Sequence, residues 1–321
     1  MVDPRIRVES LGKVPPLKVK YSLESIKVNA NTKTNPVLGL ISGLSAAAIW
    51  GGMYVVSKVV MGVVPPFLLI VMRLLLGILT LGIILIVRRD WSLTWARFWR
   101  IFGVGTVGYG VSLGFQFEGT KLSTAANGSL VTSATPAFVL LFAALLLSEK
   151  ITRWRLLALL IATLGVVAVI DPRKAALSPS FFMGNLCLVA AALTWALYSV
   201  LIRKVTRETD VLTTTLVAFI GGLPICIPLG SWELATVGIG RLDLGMLAGI
   251  LFLGIISTAL AMYLWNTAFA VLDAGTASLT FFAQPLVGTL LSVLFLKEQI
   301  TPLFILGGIL IGIALLIASR T

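Results

Sequence analysis

An apolar segment that occurs twice in this chain most constrains how the chain folds. Residues 129–152 read SLVTSATPAFVLLFAALLLSEKIT and residues 278–301 read SLTFFAQPLVGTLLSVLFLKEQIT, and ten of the 24 positions are identical at a constant offset of 149. Each copy holds a proline in mid-run, Pro136 in the first and Pro285 in the second. Both copies are long enough to cross a bilayer, because a spanning helix needs about 20 mostly apolar residues. The duplication therefore indicates a membrane protein built from two related halves.

Composition also favours a membrane protein. Hydrophobic residues make up 58% of the chain and charged residues 12%, whereas a soluble domain has roughly 45–50% apolar and about 25% charged residues. Helices are expected because lipid offers no partner to unpaired backbone groups, and the apolar runs lack the alternation of barrel strands. We predict an all-α integral membrane protein with ten transmembrane helices, at residues 37–60, 65–87, 98–117, 124–147, 154–171, 182–202, 211–230, 244–268, 276–296 and 302–319.

The basic residues are distributed as expected for membrane topology. The formal net charge of +12 is compatible with nucleic-acid binding, but Lys and Arg also mark the cytoplasmic loops of membrane proteins. In the ten-helix arrangement, eighteen Lys/Arg fall on the side of the N-terminus, six fall on the other side, and Arg73 lies inside a span. We therefore expect a protein of the plasma (inner) membrane with both termini in the cytoplasm, and no nucleic-acid partner.

The two halves are predicted to be inverted relative to each other. The first five-helix repeat covers 37–171 and the second covers 182–319. An odd number of spans turns the second half upside down, which places a pseudo-two-fold axis in the membrane plane. Trp50 in the first span and Trp195 in the sixth are equivalent at an offset of 145. A site on that axis can open to either face, which is the physical basis of alternating access.

The matched prolines are predicted hinges. Proline removes a helix hydrogen bond and clashes with the carbonyl four residues earlier, so Pro136 and Pro285 are expected to bend the fourth and ninth spans around a cavity. Proline is also common in membrane helices without such a role.

Cysteines and the N-terminal segment carry little functional signal. Cys187 and Cys226 fall inside apolar spans and are expected to be buried free thiols, and two cysteines without a histidine do not make an ordinary zinc site. Residues 1–36 are basic and lack the continuous apolar core of a signal peptide. We predict a cytoplasmic tail there, without an assigned function.

Several short motifs together resemble the drug/metabolite transporter superfamily, and within it the ten-helix EamA-type carriers. They are AAAIWGG in the first span, RLLLG in the second, FEGTKLSTAANGSLV across the third and fourth, and the pair LLLSEKIT and LFLKEQIT. The resemblance covers residues 37–319. It implies export or exchange of small polar metabolites, often amino acids, through a cavity lined mainly by helices 1, 3, 4, 6, 8 and 9.

A carrier replaces the water around its substrate with its own hydrogen bonds, so polar and aromatic side chains at mid-membrane depth are the candidate ligands. Packing between helices is the alternative role, above all for the aromatic residues. The predicted substrate-binding residues are Trp50, Tyr54, Tyr109, Gln116, Asn127, Trp195, Tyr198, Tyr263, Asn266 and Gln284.

Three charged residues in the outer part of the spans, Lys58, Arg73 and Glu118, are the candidate members of a predicted gating or charge pair. We expect Glu118 to neutralise Arg73 or Lys58. Pairing of Glu118 with Lys121 three residues later is the alternative, and a proton-carrying role for Glu118 is a further hypothesis. The absence of an acid or a histidine deep in the spans favours a neutral, zwitterionic or amphipathic substrate.

The sequence thus predicts a secondary transporter of small polar organic metabolites that needs no cofactor. It contains no Walker motif for ATP hydrolysis. One alternative is a membrane-embedded enzyme acting on lipid head groups, although histidine and acidic clusters are missing. Another is a carrier of organic cations or quaternary amines, held by aromatic faces.

Overall fold

The computed structural model describes residues 36–88, 93–147, 152–170 and 178–318. The predicted tail, apart from Pro36, and the motif residues Glu149 and Lys150 lie outside the described residues.

All regular secondary structure in the described ranges is helical, which confirms the predicted all-α class. The α-helices are α1 (Pro36–Val60), α2 (Pro66–Arg88), α3 (Trp95–Gly105), α4 (Leu113–Leu122), α5 (Ala125–Thr132), α6 (Thr135–Leu147), α7 (Arg153–Ile170), α8 (Pro179–Val205), α9 (Val211–Thr236), α10 (Leu244–Leu251), α11 (Ala261–Val271), α12 (Ala274–Leu279), α13 (Ala283–Leu296) and α14 (Pro302–Ala318). Two π-helices (Thr106–Ser112 and Phe252–Leu260) and a 3₁₀ turn (Thr280–Phe282) continue neighbouring α-helices without a gap.

The helices have the surface of an integral membrane protein. Six helical segments in the described part of the chain are long and apolar enough to cross a bilayer: Pro36–Val60, Pro66–Arg88, Ala125–Leu147, Pro179–Val205, Val211–Thr236 and Leu244–Val271. Large apolar side chains point outward along them, including Leu79 and Val87, which are 60% and 76% exposed. Such a surface is unfavourable in water and is expected in contact with lipid chains.

The duplicated segment is interrupted at the same place in both copies. α5 ends at Thr132 and α6 begins at Thr135, so Pro136 lies in the first turn of a new helix. The Thr135 hydroxyl donates to the Thr132 carbonyl at 2.6 Å, which supplies the partner that proline removes. In the second copy a 3₁₀ turn separates α12 from α13, and Pro285 again falls in the first turn.

Both halves also contain a π-helix that the sequence analysis did not anticipate. One lies between α3 and α4, and the other between α10 and α11. The wider turn is visible at Thr258, whose hydroxyl donates to the carbonyl of Leu253, five residues earlier, at 2.7 Å. π-Helical turns occur frequently at functional sites, and these two turn Tyr109 and Ser257 toward the interior, where both are fully buried.

α1 lies at the centre of the bundle, in contact with α11 and α13. Gly51 makes the α1–α13 crossing close: a Cβ there would lie 2.7 Å from the Gln284 carbonyl oxygen and 2.8 Å from the Gly288 nitrogen. Only glycine fits against two backbones at that separation. The crossing brings Trp50 of the first half beside Gln284 of the second.

Candidate functional site

A small cavity lies between helices of the two halves. It has about 20 Å³ open to the centre of a water molecule, which is room for about one water. None of the residues that line it is charged. They are Trp50, Met53, Tyr54, Ser112, Gln116, Thr132, Thr135, Ala191, Trp195, Met262, Phe281 and Gln284.

Hydrogen bonds around Tyr54 form one side of the cavity. The Tyr54 hydroxyl lies 2.7 Å from the Thr132 hydroxyl, and the Gln116 amide donates to Tyr54 at 2.6 Å. The Gln284 amide donates to the Thr132 hydroxyl at 2.8 Å and to the Ser129 carbonyl at 3.1 Å. We call Tyr54, Gln116, Thr132 and Gln284 the first polar network; it joins α1, α4 and α5 of the first half to α13 of the second.

Aromatic rings form a second side. The rings of Trp50 and Trp195 meet edge to face with centroids 5.6 Å apart, and Phe281 lies 5.8 Å from Trp50. The Trp50 indole N–H donates to the Ser257 carbonyl at 3.0 Å. The Trp195 indole N–H is buried and has no hydrogen-bond partner among the residues that the structure describes. Because a buried donor without an acceptor is unfavourable, a ligand acceptor would stabilise this wall.

Behind Trp195 lies a second set of buried hydrogen bonds. The hydroxyls of Tyr109 and Tyr198 are 2.6 Å apart, and Tyr198 donates to the Asn266 side-chain oxygen at 3.0 Å. The Asn266 amide donates to Thr215 at 2.9 Å. We call these four residues the second polar network. They are fully buried and do not line the cavity directly, although Tyr198 stacks on Trp195 with centroids 4.6 Å apart.

The predicted ligands therefore divide into residues that line the cavity, residues in the layer behind it and residues that lie away from it. Five of them line the cavity, namely Trp50, Tyr54, Gln116, Trp195 and Gln284. Tyr109, Tyr198 and Asn266 form the layer behind it.

Asn127 and Tyr263 lie away from the cavity. The Asn127 amide donates to Asn185 at 3.1 Å and to Ser123 at 3.2 Å, so it ties α5 to α8. Tyr263 is half-buried at the edge of the apolar core. Polarity and expected depth selected both residues, but the sequence did not reveal which face of the helix each occupies.

The predicted pairing of Glu118 differs from the structure. Neither Arg73 nor Lys58 forms an ion pair with Glu118 in the described ranges, where the ion pairs are those of Glu208 with Arg97 and Arg100. Glu118 is half-buried and lines a separate groove with Cys187 and Phe67. The prediction assumed that each cation needs an acidic partner. In the structure, backbone carbonyls accept hydrogen bonds from Lys58 and side-chain hydroxyls accept them from Arg73.

Lys58 binds the end of α4. Its ammonium group donates to three backbone carbonyl oxygens there, those of Thr120, Lys121 and Ser123, at 2.8, 2.8 and 2.5 Å. These carbonyls would otherwise lack partners at the end of a helix.

Glu298 binds the start of the next helix. Its carboxylate accepts from the backbone N–H groups of Ala125 and Ala126, each at 2.9 Å. A negative group at a helix N-terminus is stabilised by the helix dipole. We call Lys58, Glu298 and the turn at 120–126 that they hold the end clamp.

Arg73 is a fully buried cation. Its guanidinium donates to Thr258 at 2.7 Å, to Ser257 at 3.3 Å and to the Met53 sulfur at 3.5 Å. It also lies over the Phe117 ring, 4.8 Å from the centroid, where a cation–π interaction is favourable.

A different group of charges lies at the opposite end of the α3–α4 run. Arg100 donates to Glu208 at 2.6 Å and Arg97 lies 3.8 Å away. The hydrogen bond and charge of Arg100 lower the pKa of the Glu208 carboxyl.

Four of the lining residues are apolar and were not predicted, namely Met53, Ala191, Met262 and Phe281. Nothing in their sequence distinguishes them from residues of the packed core. No group of three metal-ligating side chains occurs in the part of the chain that the structure describes.

Comparison with known proteins identifies relatives that match 65–85% of this chain. The chain is 29% identical over 279 residues to protein PecM of Dickeya dadantii, covering 85% of this chain and 90% of that protein. It is 27% identical over 262 residues to the aromatic amino acid exporter YddG of Ancylobacter novellus, covering 78% and 86%. A probable biotin transporter of Pseudomonas aeruginosa is 30% identical over 217 residues, covering 65% of this chain and 73% of that one.

The fold is also similar to a known one. A solved crystal structure superposes with a TM-score of 0.65 at 22% identity, covering 89% of this chain and 98% of the other. The EamA-like transporter family matches the chain twice, over residues 37–170 and 182–320. The resemblance seen in the motifs is thereby confirmed, and the chain belongs to the EamA-like transporter family.

Proposed function

We propose that this protein is a secondary transporter of small polar organic metabolites, such as amino acids, that works by alternating access. In this proposal ten helices cross the plasma membrane, residues 37–171 and 182–319 form two inverted halves, and both termini are cytoplasmic. The observation that carries the proposal is a polar and aromatic cavity, shared by the two halves, with a buried polar network on either side of its Trp50–Trp195 pair.

Contacts at the two ends of one helical run support the inversion. α3, the first π-helix and α4 run without a gap from Trp95 to Leu122, a length of roughly 40 Å at 1.5 Å per residue. Lys58, at the end of α1, binds the C-terminal end of this run. Glu208, just after α8, pairs with its N-terminal end. The last turns of α1 and α8 are thus far apart, as expected if these equivalent helices run in opposite directions.

The two polar networks are suited to act as two gates that are related by the inversion. In each, a tyrosine about one turn after the equivalent tryptophan, Tyr54 or Tyr198, bonds an amide side chain, Gln116 or Asn266. Opening one network while the other stays intact would expose the cavity to one face at a time. The helix breaks before Pro136 and Pro285 lie beside the cavity residues Thr135 and Gln284, where they are suited to act as hinges.

The cavity volume adds a requirement for movement. Space for about one water is too small for an amino acid, so substrate entry needs the helices to separate. The end clamp is the natural barrier at the end of the bundle that the proposal makes extracellular. In this state it holds α1, the 120–126 turn and the end of α13 together.

Names of relatives support the substrate class. One is called an aromatic amino acid exporter and another a probable biotin transporter. Both substrates are small organic molecules with polar groups, and the cavity offers hydroxyl, amide and indole groups to such molecules.

Counterflow in liposomes tests the proposal. Vesicles containing the purified protein and an unlabelled amino acid, amine or nucleobase are diluted into a trace of the labelled compound. We expect saturable accumulation for one class, at least a tenfold rise in half-saturation for Gln284→Ala, and less than a twofold change for Asn127→Ala, the matched amide outside the cavity. A lack of counterflow for every compound, or conversion of a lipid or solute without uptake, would contradict the proposal.

A further inference from the structure

Arg73 lacks an anionic partner. It is fully buried, and none of the acidic residues that the structure describes forms an ion pair with it. A charged side chain at membrane depth is unfavourable and usually finds an opposite charge. Here two hydroxyls, a thioether and an aromatic ring surround the guanidinium, so its positive charge is solvated but not neutralised.

One layer of side chains separates this charge from the cavity. The Met53 sulfur accepts from the Arg73 guanidinium at 3.5 Å, and Met53 also lines the cavity. A second connection passes through Ser257, whose hydroxyl accepts from Arg73 and whose carbonyl accepts from Trp50. Methionine is unbranched and flexible, so rotation of the Met53 side chain is the movement that would open this layer to a ligand.

The cavity contains nothing that would offset the charge. Its lining residues are uncharged, so Arg73 gives the cavity a positive potential. The Trp195 indole N–H adds a buried donor that lacks an acceptor in the described part of the chain. Both features suit a ligand group that accepts hydrogen bonds and is negatively charged.

We propose that the central cavity binds metabolites through a carboxylate group, which lies on the Met53 side of the cavity against the guanidinium of Arg73. This inference rests on the proposed function, because it takes the cavity as the transport site. Arginine is suited to this role because its planar guanidinium presents paired donors that match a carboxylate. An organic cation in the same aromatic cavity would be repelled by Arg73, so the proposal excludes the quaternary-amine carrier.

Matched trios of compounds test this inference in the wild-type protein. One trio is L-phenylalanine, 2-phenylethylamine, which lacks the carboxylate, and 3-phenylpropanoate, which lacks the amine. A second is L-leucine, 3-methylbutylamine and 4-methylpentanoate. Each compound is tested for thermal stabilisation of the detergent-solubilised protein and for competition in counterflow at constant pH, with protein-free vesicles as the leak control. We expect both carboxylates to act at concentrations at least tenfold below those of the matched amines. An amine that acts as well as its carboxylate would overturn the inference.

Variants of Arg73 provide the second arm. Arg73→Gln should remove the preference for carboxylates over amines, Arg73→Lys should keep part of it, and Arg241→Gln, an exposed arginine outside the cavity, both polar networks and the end clamp, should leave it unchanged. Preference retained in a folded Arg73→Gln protein would contradict the assignment. If carboxylates stabilise the protein but no compound shows counterflow, the proposed transport function fails while the carboxylate site stands. If counterflow occurs without carboxylate preference, the carboxylate site fails while the proposed transport function stands.

Discussion

At the residue scale, Trp195 and Trp265 allow a matched comparison. Both indole N–H groups are buried without a partner in the described ranges, but Trp195 lines the cavity and Trp265 does not. If substrate accepts from Trp195, Trp195→Phe should raise half-saturation about tenfold, which corresponds to about 1.4 kcal/mol. Trp265→Phe should change it less than twofold. Counterflow kinetics of the two variants measure this, and equal effects would argue against a substrate contact at Trp195.

Glu298 makes a second prediction at this scale. Its carboxylate caps two N–H groups at the start of α5, and loss of such a cap costs about 1–2 kcal/mol. Glu298→Ala should therefore lower the thermal midpoint of the solubilised protein. Glu118→Ala, which removes a carboxylate without an ion pair in the described ranges, should lower it less. A midpoint equal to that of wild type would contradict the capping role.

The Glu208 carboxyl gives a pH dependence. Because Arg100 lowers its pKa in the folded protein, its contribution to stability is present above the ordinary carboxyl pKa. It is lost as pH falls through the lowered value. The stability difference between wild type and Glu208→Gln should then be constant near neutral pH and should vanish in acid. A difference that grows as pH falls would have the wrong sign.

At the scale of helices, the close α1–α13 crossing depends on Gly51. A methyl group there would meet the backbone of α13, and such overpacking costs about 1–3 kcal/mol. Gly51→Ala should destabilise the protein and slow transport. Gly82→Ala is the matched control, since a Cβ there has nothing within 4 Å. Equal stability of the two variants, measured by thermal unfolding, would contradict the role of this crossing.

Helices were predictable from sequence to different extents. Apolar runs predicted α1 and α2 within one residue at each end, because burial in lipid depends on composition and length. The matched prolines predicted where the duplicated segment is interrupted. The π-helices were not predicted, because the sequence around Tyr109 and Thr258 has no periodic pattern that distinguishes a π-helix from an α-helix.

The candidate site, like the helices, was predictable from the sequence only in part. Polar character and depth identified Tyr54, Gln116 and Gln284, which line the cavity. They also selected Asn127, which faces α8 instead. Arg73 was assigned an acid as its partner, and the structure gives it two hydroxyls contributed by the second π-helix. Contacts between distant segments decide such cases, and a single sequence does not contain them.

At the scale of the whole molecule, the proposed mechanism depends on the inversion of the two halves. Two copies of one unit in opposite orientations can exchange conformations, so that one polar network opens while the other closes. Two halves in the same orientation would place equivalent residues on one membrane face and would provide no such exchange.

Accessibility labelling of matched motif residues tests this claim most directly. In a variant without native cysteines (Cys187→Ala, Cys226→Ala), single cysteines replace Ser148 and Lys297, which are equivalent at the offset of 149. An impermeant maleimide applied to intact cells and to inverted vesicles then reports the face of each. We predict that Lys297→Cys reacts from outside and Ser148→Cys only from the cytoplasmic side. Reaction of both from the same side would contradict the inverted architecture and the alternating-access mechanism built on it.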